Sequence, residues 1–344
     1  MLRMSSISTA MLLGSPQANI ARMQSEMVRL NTEIVTGRMA DVGLNLGSGT
    51  AQSVTLHIDL EALDALAASN ETVASRLTQT QAALEGMRSG AESFLSVLVS
   101  ANSTDSPRVL VQAAQSALDS FVAGANASDG RSYLFGGINS GTAPITTNGT
   151  PQAAIDAAFL AKFGFAQDDP AAASIDAADL ADFLDHEFAD LFGDPEWGTS
   201  WSSASDQTLS ARISPGETLS ASVSANDTAM RKLAQVYSMV ARLGMDGMSS
   251  AASDVIINKA TELLGRGIDD MVVLQSGVGE MQNRVGAARE RIATQQTILG
   301  TRIGTLEGVD PAEAKVKIDT LSTQIEMSYS LTAKLLQMSL LNYV

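Results

Sequence analysis

The sequence predicts a mainly α-helical protein: a long antiparallel helical or coiled-coil rod, its termini paired at one end and a β-containing inserted domain at the other. Three observations carry this expectation. Apolar seams stepping alternately by three and four residues, the pattern of helices that pack along their length, lie near both termini and twice in the interior. The two interior seams are nearly equal in length, which suits antiparallel pairing of the chain halves. Between them the composition shifts, because residues 146–211 hold twelve acidic residues, a single basic one (Lys162) and eight of the fifteen aromatics.

The amino-terminal seam is Ile20, Met23, Met27, Leu30 and Ile34, flanked by Arg22, Gln24, Glu26, Arg29 and Glu33. The helix signal stops at Thr36-Gly37, and the glycine-rich stretch from Arg38 to Gly49 reads as loop. A four-three alternation then runs through Leu56, Leu60, Leu63, Ala67, Asn70, Ala74, Leu77, Gln81, Leu84, Arg88, Ala91, Leu95 and Leu98. A helix over about 50–99 would be about 75 Å long at 1.5 Å per residue. Pro107 opens the next helix, with Leu110, Ala113, Ala117, Phe121 and Ala125 on one face.

Tyr133 to Gly137 reads as a short strand with a turn-rich exit. Residues 146–211 read as an inserted domain with a small core of its own: Phe159, Phe163, Phe183, Leu184, Phe188, Leu191, Phe192, Trp197 and Trp201. Ile213, Leu219, Ala221 and Val223 around Pro215-Gly216-Glu217 predict a hairpin. Asn226-Asp227 caps a helix carrying Met230, Leu233, Tyr237 and Val240. The longest seam runs from Ile257 to Leu299, and Gly300, Gly304 and Gly308 end it in a flexible segment.

The last helix starts with Asp310 as cap, Pro311 at the first position and Glu313 in the first turn. Ile318, Leu321, Ile325, Leu335, Leu336, Met338 and Tyr343 share its apolar face, and Met327 and Leu341 point off it. A helix apolar nearly to the last residue needs a partner, and the amino-terminal seam is the best candidate. The expected packing and assembly residues are therefore Ile20, Met23, Met27, Leu30, Ile34, Ile318, Leu321, Ile325, Leu335, Leu336, Met338 and Leu341. The implied division is 1–45 with 308–344 as a terminal helical segment, 46–145 with 212–307 as the long-helix part with small hairpins, and 146–211 as an acidic outer insert.

Composition excludes several function classes. With 22 Lys plus Arg against 38 Asp plus Glu, the net charge is −16, which argues against nucleic acid or an anionic membrane as partner. There is no cysteine, hence no thiol nucleophile, disulfide or Cys-built zinc site. No run of 18 apolar residues exists, so no membrane insertion is expected. The stretch Met1 to Pro16 is too weak for a signal-peptide core. None of the six lysines follows a glycine, so a Walker loop is missing. Gln52 stands where a dinucleotide fingerprint needs its third glycine, and no Gly-x-Ser-x-Gly occurs. Of the two histidines, His57 reads as a partly exposed helix residue. Asp182, His186 and Asp190, spaced four and four, could face a metal from one helix side, but a solvated acidic face explains them better. The expectation is no catalytic residue, no metal, no cofactor and no enzyme.

Four stretches then carry a resemblance. Leu30 to Arg38 resembles the end of the flagellin superfamily's amino-terminal helix, where a leucine-rich seam meets a Gly-basic pair. Asp129-Gly130-Arg131-Ser132-Tyr133-Leu134-Phe135-Gly136-Gly137 is similar to that superfamily's G-R-Y-L-F-S/G-G signature. Pro215-Gly216-Glu217 through Asn226-Asp227 resembles its hairpin before the carboxyl-half helix. Ser339 to Val344 resembles the ending of its hook-associated branch. The resemblance covers about 1–145 and 212–344. After Gly37-Arg38 the chain departs from the family, with Asp41-Val42-Gly43-Leu44 in place of an S-D-D-P-like stretch.

The resemblance implies a structural subunit at the hook–filament junction, exported unfolded through the flagellar type III pathway. It implies terminal helices packed into an inner tube. Its implied partners are copies of itself in a ring, a neighbouring hook-associated protein, flagellin and a cytosolic export chaperone that shields the last helix. A filament flagellin and a cytosolic coiled-coil scaffold remain the alternatives at this point.

Overall fold

A computed structural model describes residues 9–100, 107–146 and 150–341, with side chains described for 17–100, 107–146, 150–334 and 337. Ten α-helices are described: α1 (Thr9–Thr36), α2 (Val42–Leu46), α3 (Thr50–Ser100), α4 (Pro107–Ala125), α5 (Thr150–Phe163), α6 (Ala177–Asp185), α7 (Glu187–Asp190), α8 (Thr228–Arg242), α9 (Ser250–Glu307) and α10 (Pro311–Leu341). Strands β1 (Ser210–Ser214) and β2 (Glu217–Ser220) form an antiparallel pair with a bulge between Arg212 and Ser214. The fold is mainly α with long helices and a small β element, as expected. Packing divides the chain into two compact units, residues 1–65 with 293–344, and residues 66–292.

In the first unit α1 packs on α10, the pairing the two terminal seams predict. Asp310 caps α10 as expected, its carboxylate accepting from the Ala312 amide at 2.8 Å. The start of α3 and the end of α9 run antiparallel. Gln296 donates to Asp64 at 2.6 Å and Ser53 donates to Glu307, contacts eleven residues apart along both helices. Two expectations are corrected here. The stretch after Arg38 is not all loop, because Asp41 accepts from the Leu44 amide at 2.8 Å and starts the short α2, followed by a 3₁₀ turn at Gly47–Gly49. Nor do Gly300 and Gly304 end α9, which runs through both to Glu307. Ile303 and Glu307 are buried there, and that packing overrides the roughly 1 kcal/mol helix cost of each glycine. Gly308 does end the helix. Its backbone turns so tightly that a Cβ would lie 2.3 Å from the Gly304 oxygen.

The second unit holds the thick core. Along α3 the expected positions seven apart, Leu77, Leu84, Ala91 and Leu98, are buried. The companion row is corrected. Thr80, Met87 and Phe94 are buried, whereas Gln81, Arg88 and Leu95 are only half-buried. Arg88 instead pairs with Glu85 and Glu92 along its own helix. The α3 and α9 segments are antiparallel here as well, with Gln275 on Glu85 and Arg289 on Glu71, fourteen residues apart on both helices. Asp227 caps α8 through the Ala229 amide at 2.9 Å, and Met230, Leu233, Tyr237 and Val240 are buried as predicted.

The Tyr133–Gly137 stretch is an irregular clasp rather than a strand. The Arg76 guanidinium gathers it, reaching Asp129 at 3.0 Å, Ser132 at 2.6 Å and the Tyr133 carbonyl at 2.6 Å. Gly137 sits at φ +58, where a Cβ would lie 2.4 Å from the Ser205 oxygen; that close approach accounts for a glycine in the motif. Of the aromatics of 146–211, Phe163 and Phe165 are half-buried and the other six are buried, their rings following one another from Phe159 through Phe183, Phe188 and Phe192 to the stacked pair Trp197/Trp201. They do not form a core of their own, because they join one continuous cluster with Phe121, Leu233 and Tyr237. A segment of this size buries too little alone and leans on its neighbours.

Candidate assembly interface

The face that α1 and α10 share is incompletely closed. Ile20 and Leu30 are buried, but Met23, Met27, Ile34, Ile318, Leu321 and Ile325 are only half-buried. Ala314 is the buried apolar residue on α10 among those described. Leu335, Leu336, Met338 and Leu341 lie on the α10 backbone, but their side chains fall outside the described residues, as does Tyr343. The structure thus brings the described seam residues together on facing helices. It leaves an open groove of about 710 Å³ beside them, lined by Met23, Glu26, Leu321, Gln324, Met327 and Leu331 among others.

Both helices also carry apolar residues that the partner helix does not cover. Val28 and Val35, seven apart, are 68% and 77% exposed on α1. Val316, Met327 and Leu331, at steps of eleven and four, form a line on α10 with 59–65% exposure. The hydrophobic penalty of such lines is removed only by further neighbours. Of these the sequence pattern marks Met327 as lying off the main α10 face, and the seven-residue step from Val28 to Val35 is the signal available on α1.

A polar joint ties the end of α1 to the end of α9, just ahead of α10. Arg38 bridges Gly308, Met39 donates to the Glu307 carbonyl at 2.8 Å, and Val309 donates to the Gly37 carbonyl at 3.2 Å. Beneath this bridge lies Glu307, 1% exposed, which receives Ser53, Arg38 and the His57 ring at 2.9 Å. Burial pushes its pKa up, but the hydrogen bonds from Ser53, Arg38 and His57 outweigh burial and hold the carboxyl below its ordinary range. Glu33, also buried, accepts from Arg29 and from the Ala40 amide at 3.2 Å. Sequence reasoning missed this cluster because its members lie 250 and more positions apart; the bond to Glu307 gives half-exposed His57 a structural setting.

Asp182, His186 and Asp190 are not presented from one helix. The backbone breaks at His186, the Lys162 ammonium takes Asp182 and Glu187, and Asp190 falls in α7. Among the described residues no group of three His, Cys, Asp or Glu is placed to hold a metal, and no helix is long and apolar enough to cross a membrane.

Comparison with known proteins bears on this geometry. The family model for the bacterial flagellin N-terminal helical region matches residues 7–140, and that for the bacterial flagellin C-terminal helical region matches residues 261–344. A search of curated proteins finds no match. Among solved structures, a Vibrio parahaemolyticus chain provisionally described as a flagellar hook-associated protein is similar in fold. Its TM-score is 0.52 at 9% identity, over 75% of this chain and 97% of that one.

Proposed function

The chain belongs to the bacterial flagellin family and is a structural subunit of the flagellum, and on that premise we propose that it is an adapter at the hook–filament junction, of the hook-associated protein 3 kind. The family is structural and non-enzymatic, it assembles into polymers with other flagellar axial proteins, and its place is the exported, extracellular flagellum. The observation that carries an assembly role is the unfinished packing of α1 and α10, whose half-buried seams and exposed apolar lines call for several neighbours. The Ser339–Val344 ending, similar to that of the hook-associated branch, supports the adapter over a filament flagellin. The fold likeness to a chain described as hook-associated agrees with it.

In this reading 1–45 and 308–344 enter the inner tube. Ile20, Met23, Met27, Leu30, Ile34, Ile318, Leu321, Ile325, Leu335, Leu336, Met338 and Leu341 carry the packing between helices. Residues 46–145 and 212–307 form the long-helix part, and 146–211 is the acidic outer insert. Copies of the chain form a ring between a neighbouring hook-associated protein and flagellin, and a cytosolic chaperone covers the last helix before export. Electron microscopy of isolated hook–basal bodies, labelled with an antibody against 146–211, tests the position. Label confined to the hook tip supports the adapter; label along whole filaments means a filament flagellin.

A further inference from the structure

We propose that the tip of the β1–β2 hairpin docks on the acidic segment 146–211 of a second copy of this chain. Two guanidinium groups hold the Glu217 carboxylate at this hairpin, and a third, Arg212, stands on β1. Arg284 and Arg291 of α9 both bind Glu217, at 2.9 and 3.0 Å, and they hold its carboxyl below the ordinary range, Arg284 contributing most. Arg212 has no carboxylate partner among the described residues: its guanidinium donates to the carbonyls of Ser214 at 3.3 Å and Pro215 at 2.7 Å. In a chain of net charge −16, Arg212 with Arg284 and Arg291 against the single Glu217 carboxylate gives this hairpin a local excess of cationic groups. The turn that presents it, Pro215-Gly216, is exposed.

The complementary surface lies on the same chain. Within 146–211, Lys162 holds Asp182 and Glu187, Lys259 holds Asp185 and Arg231 holds Asp194. Asp168, Asp179, Asp190 and Glu196 remain exposed, with no ion pair among the described residues. An open cleft of about 740 Å³ cuts into this surface. Asp156 and Asp168 stand on it and Leu160, 52% exposed, offers an apolar wall. A two-residue turn flanked by Arg212 matches both the charge and the apolar wall. Two chains of charge −16 repel at a distance, so a local contact of opposite sign is what can set register between copies. A contact of hairpin on one copy with insert on the next is heterologous and propagates around a ring or along a helix. The inference rests on copies assembling with one another, not on their being at the junction.

The absence of cysteine makes the test clean. Gly216→Cys and Ala157→Cys chains, both full length, are mixed and treated with a short bis-maleimide. A Cβ at Gly216 meets nothing within 4 Å and Ala157 is exposed on the cleft, so neither change disturbs the fold. The mixed pair should cross-link at least about tenfold more than either chain alone, and about 0.5 M NaCl should suppress the product. Arg212→Glu in the Gly216→Cys chain should abolish cross-linking, and Asp168→Lys in the Ala157→Cys chain should restore it. Equal yields for mixed and single chains, or indifference to both charge reversals, overturn the contact. If negative-stain images then still contain oligomers, self-assembly stands and only this contact fails; if no oligomer forms at any concentration, both fail.

Discussion

In α8, Met230, Leu233, Tyr237 and Val240 are fully enclosed, and α4 answers with Leu110, Ala114, Leu118 and Phe121. In α10, Ile318, Leu321 and Ile325 are half-buried against α1, while Val316, Met327 and Leu331 face outward. Both pairs show helical apolar periodicity, so sequence pattern alone does not separate them. The difference is in what surrounds them. The α4/α8 pair is roofed by α3, α9 and the aromatic chain of 146–211, which closes one core. The α1/α10 pair has no third layer among the described residues. One pairing is closed within the chain, and the other is left open among the described residues.

The sharpest way to break this contrast is at the exposed line. Leu331→Asp, alone or with Met327→Asp, should leave the monomer's stability within about 0.5 kcal/mol of the parent, because both side chains are already in water. In assembly the same change buries a charge without a partner, so filaments should be lost and the chain and flagellin released into the medium. Swimming plates and immunoblots of cells and medium measure this. Normal motility from the double variant would mean the line stays exposed in the flagellum.

The core side of the comparison predicts the opposite pattern. Leu233→Ala, at a site with no exposure, should lower monomer stability by about 2–5 kcal/mol. Met23→Ala, on the half-buried seam, should cost the monomer roughly 1 kcal/mol or less. Urea unfolding of both variants gives the ratio, and equal costs would show that α1 and α10 are as well packed as α4 and α8.

Much of this was legible beforehand, for identifiable reasons. Helices announce themselves through spacing and caps, and Asp310, Asp227 and Pro107 all stand where the sequence puts them. The hairpin at Pro215-Gly216 follows from local turn chemistry. What failed was non-local. Gly300 and Gly304 read as a break because glycine is a poor helix former, and only the burial of Ile303 and Glu307 reverses that. The second row on α3 was misplaced by one residue because steps of three and four fit a seam equally well until a neighbour selects one. The aromatics of 146–211 read as a separate core because a sequence does not say which surface a cluster leans on. The exposed residues Val28, Val35, Val316 and Leu331 stay out of a sequence-based list because apolar residues off the seam stand out only once the covered ones are known.

The Glu307 joint tests the first unit alone. Glu307→Gln removes a buried charge from Arg38, His57 and Ser53 and should cost about 1–3 kcal/mol. The carboxyl is held below its unfolded value, so its stabilisation is fully present above the unfolded constant near 4.5 and fades as pH falls through the lower folded one. The parent should therefore lose stability more steeply than the variant as the pH falls below about 4.5. Amide exchange localises the effect: the Glu307→Gln substitution should speed exchange around 38–57 and 303–310 and leave α8 untouched. Faster exchange throughout α8 would mean that the joint also supports the second unit's core.

The smallest effect belongs to the charged flank of α10. Lys315–Asp319 and Glu313–Lys317 are i,i+4 pairs, with every partner more than half exposed. Exposed pairs gain little Coulomb energy in water, lose side-chain entropy and are screened by salt. Asp319→Ala with Glu313→Ala should move the monomer's melting temperature by no more than about 2 °C, and by less still in about 0.5 M NaCl. Lys315 and Asp319 share neither the seam nor the Val316–Leu331 line, so Asp319→Ala by itself should also swim normally, in contrast to Leu331→Asp on the same helix. A large fall in motility with an unchanged melting temperature would place the charged flank, and not only the apolar lines, in contact with a neighbouring subunit.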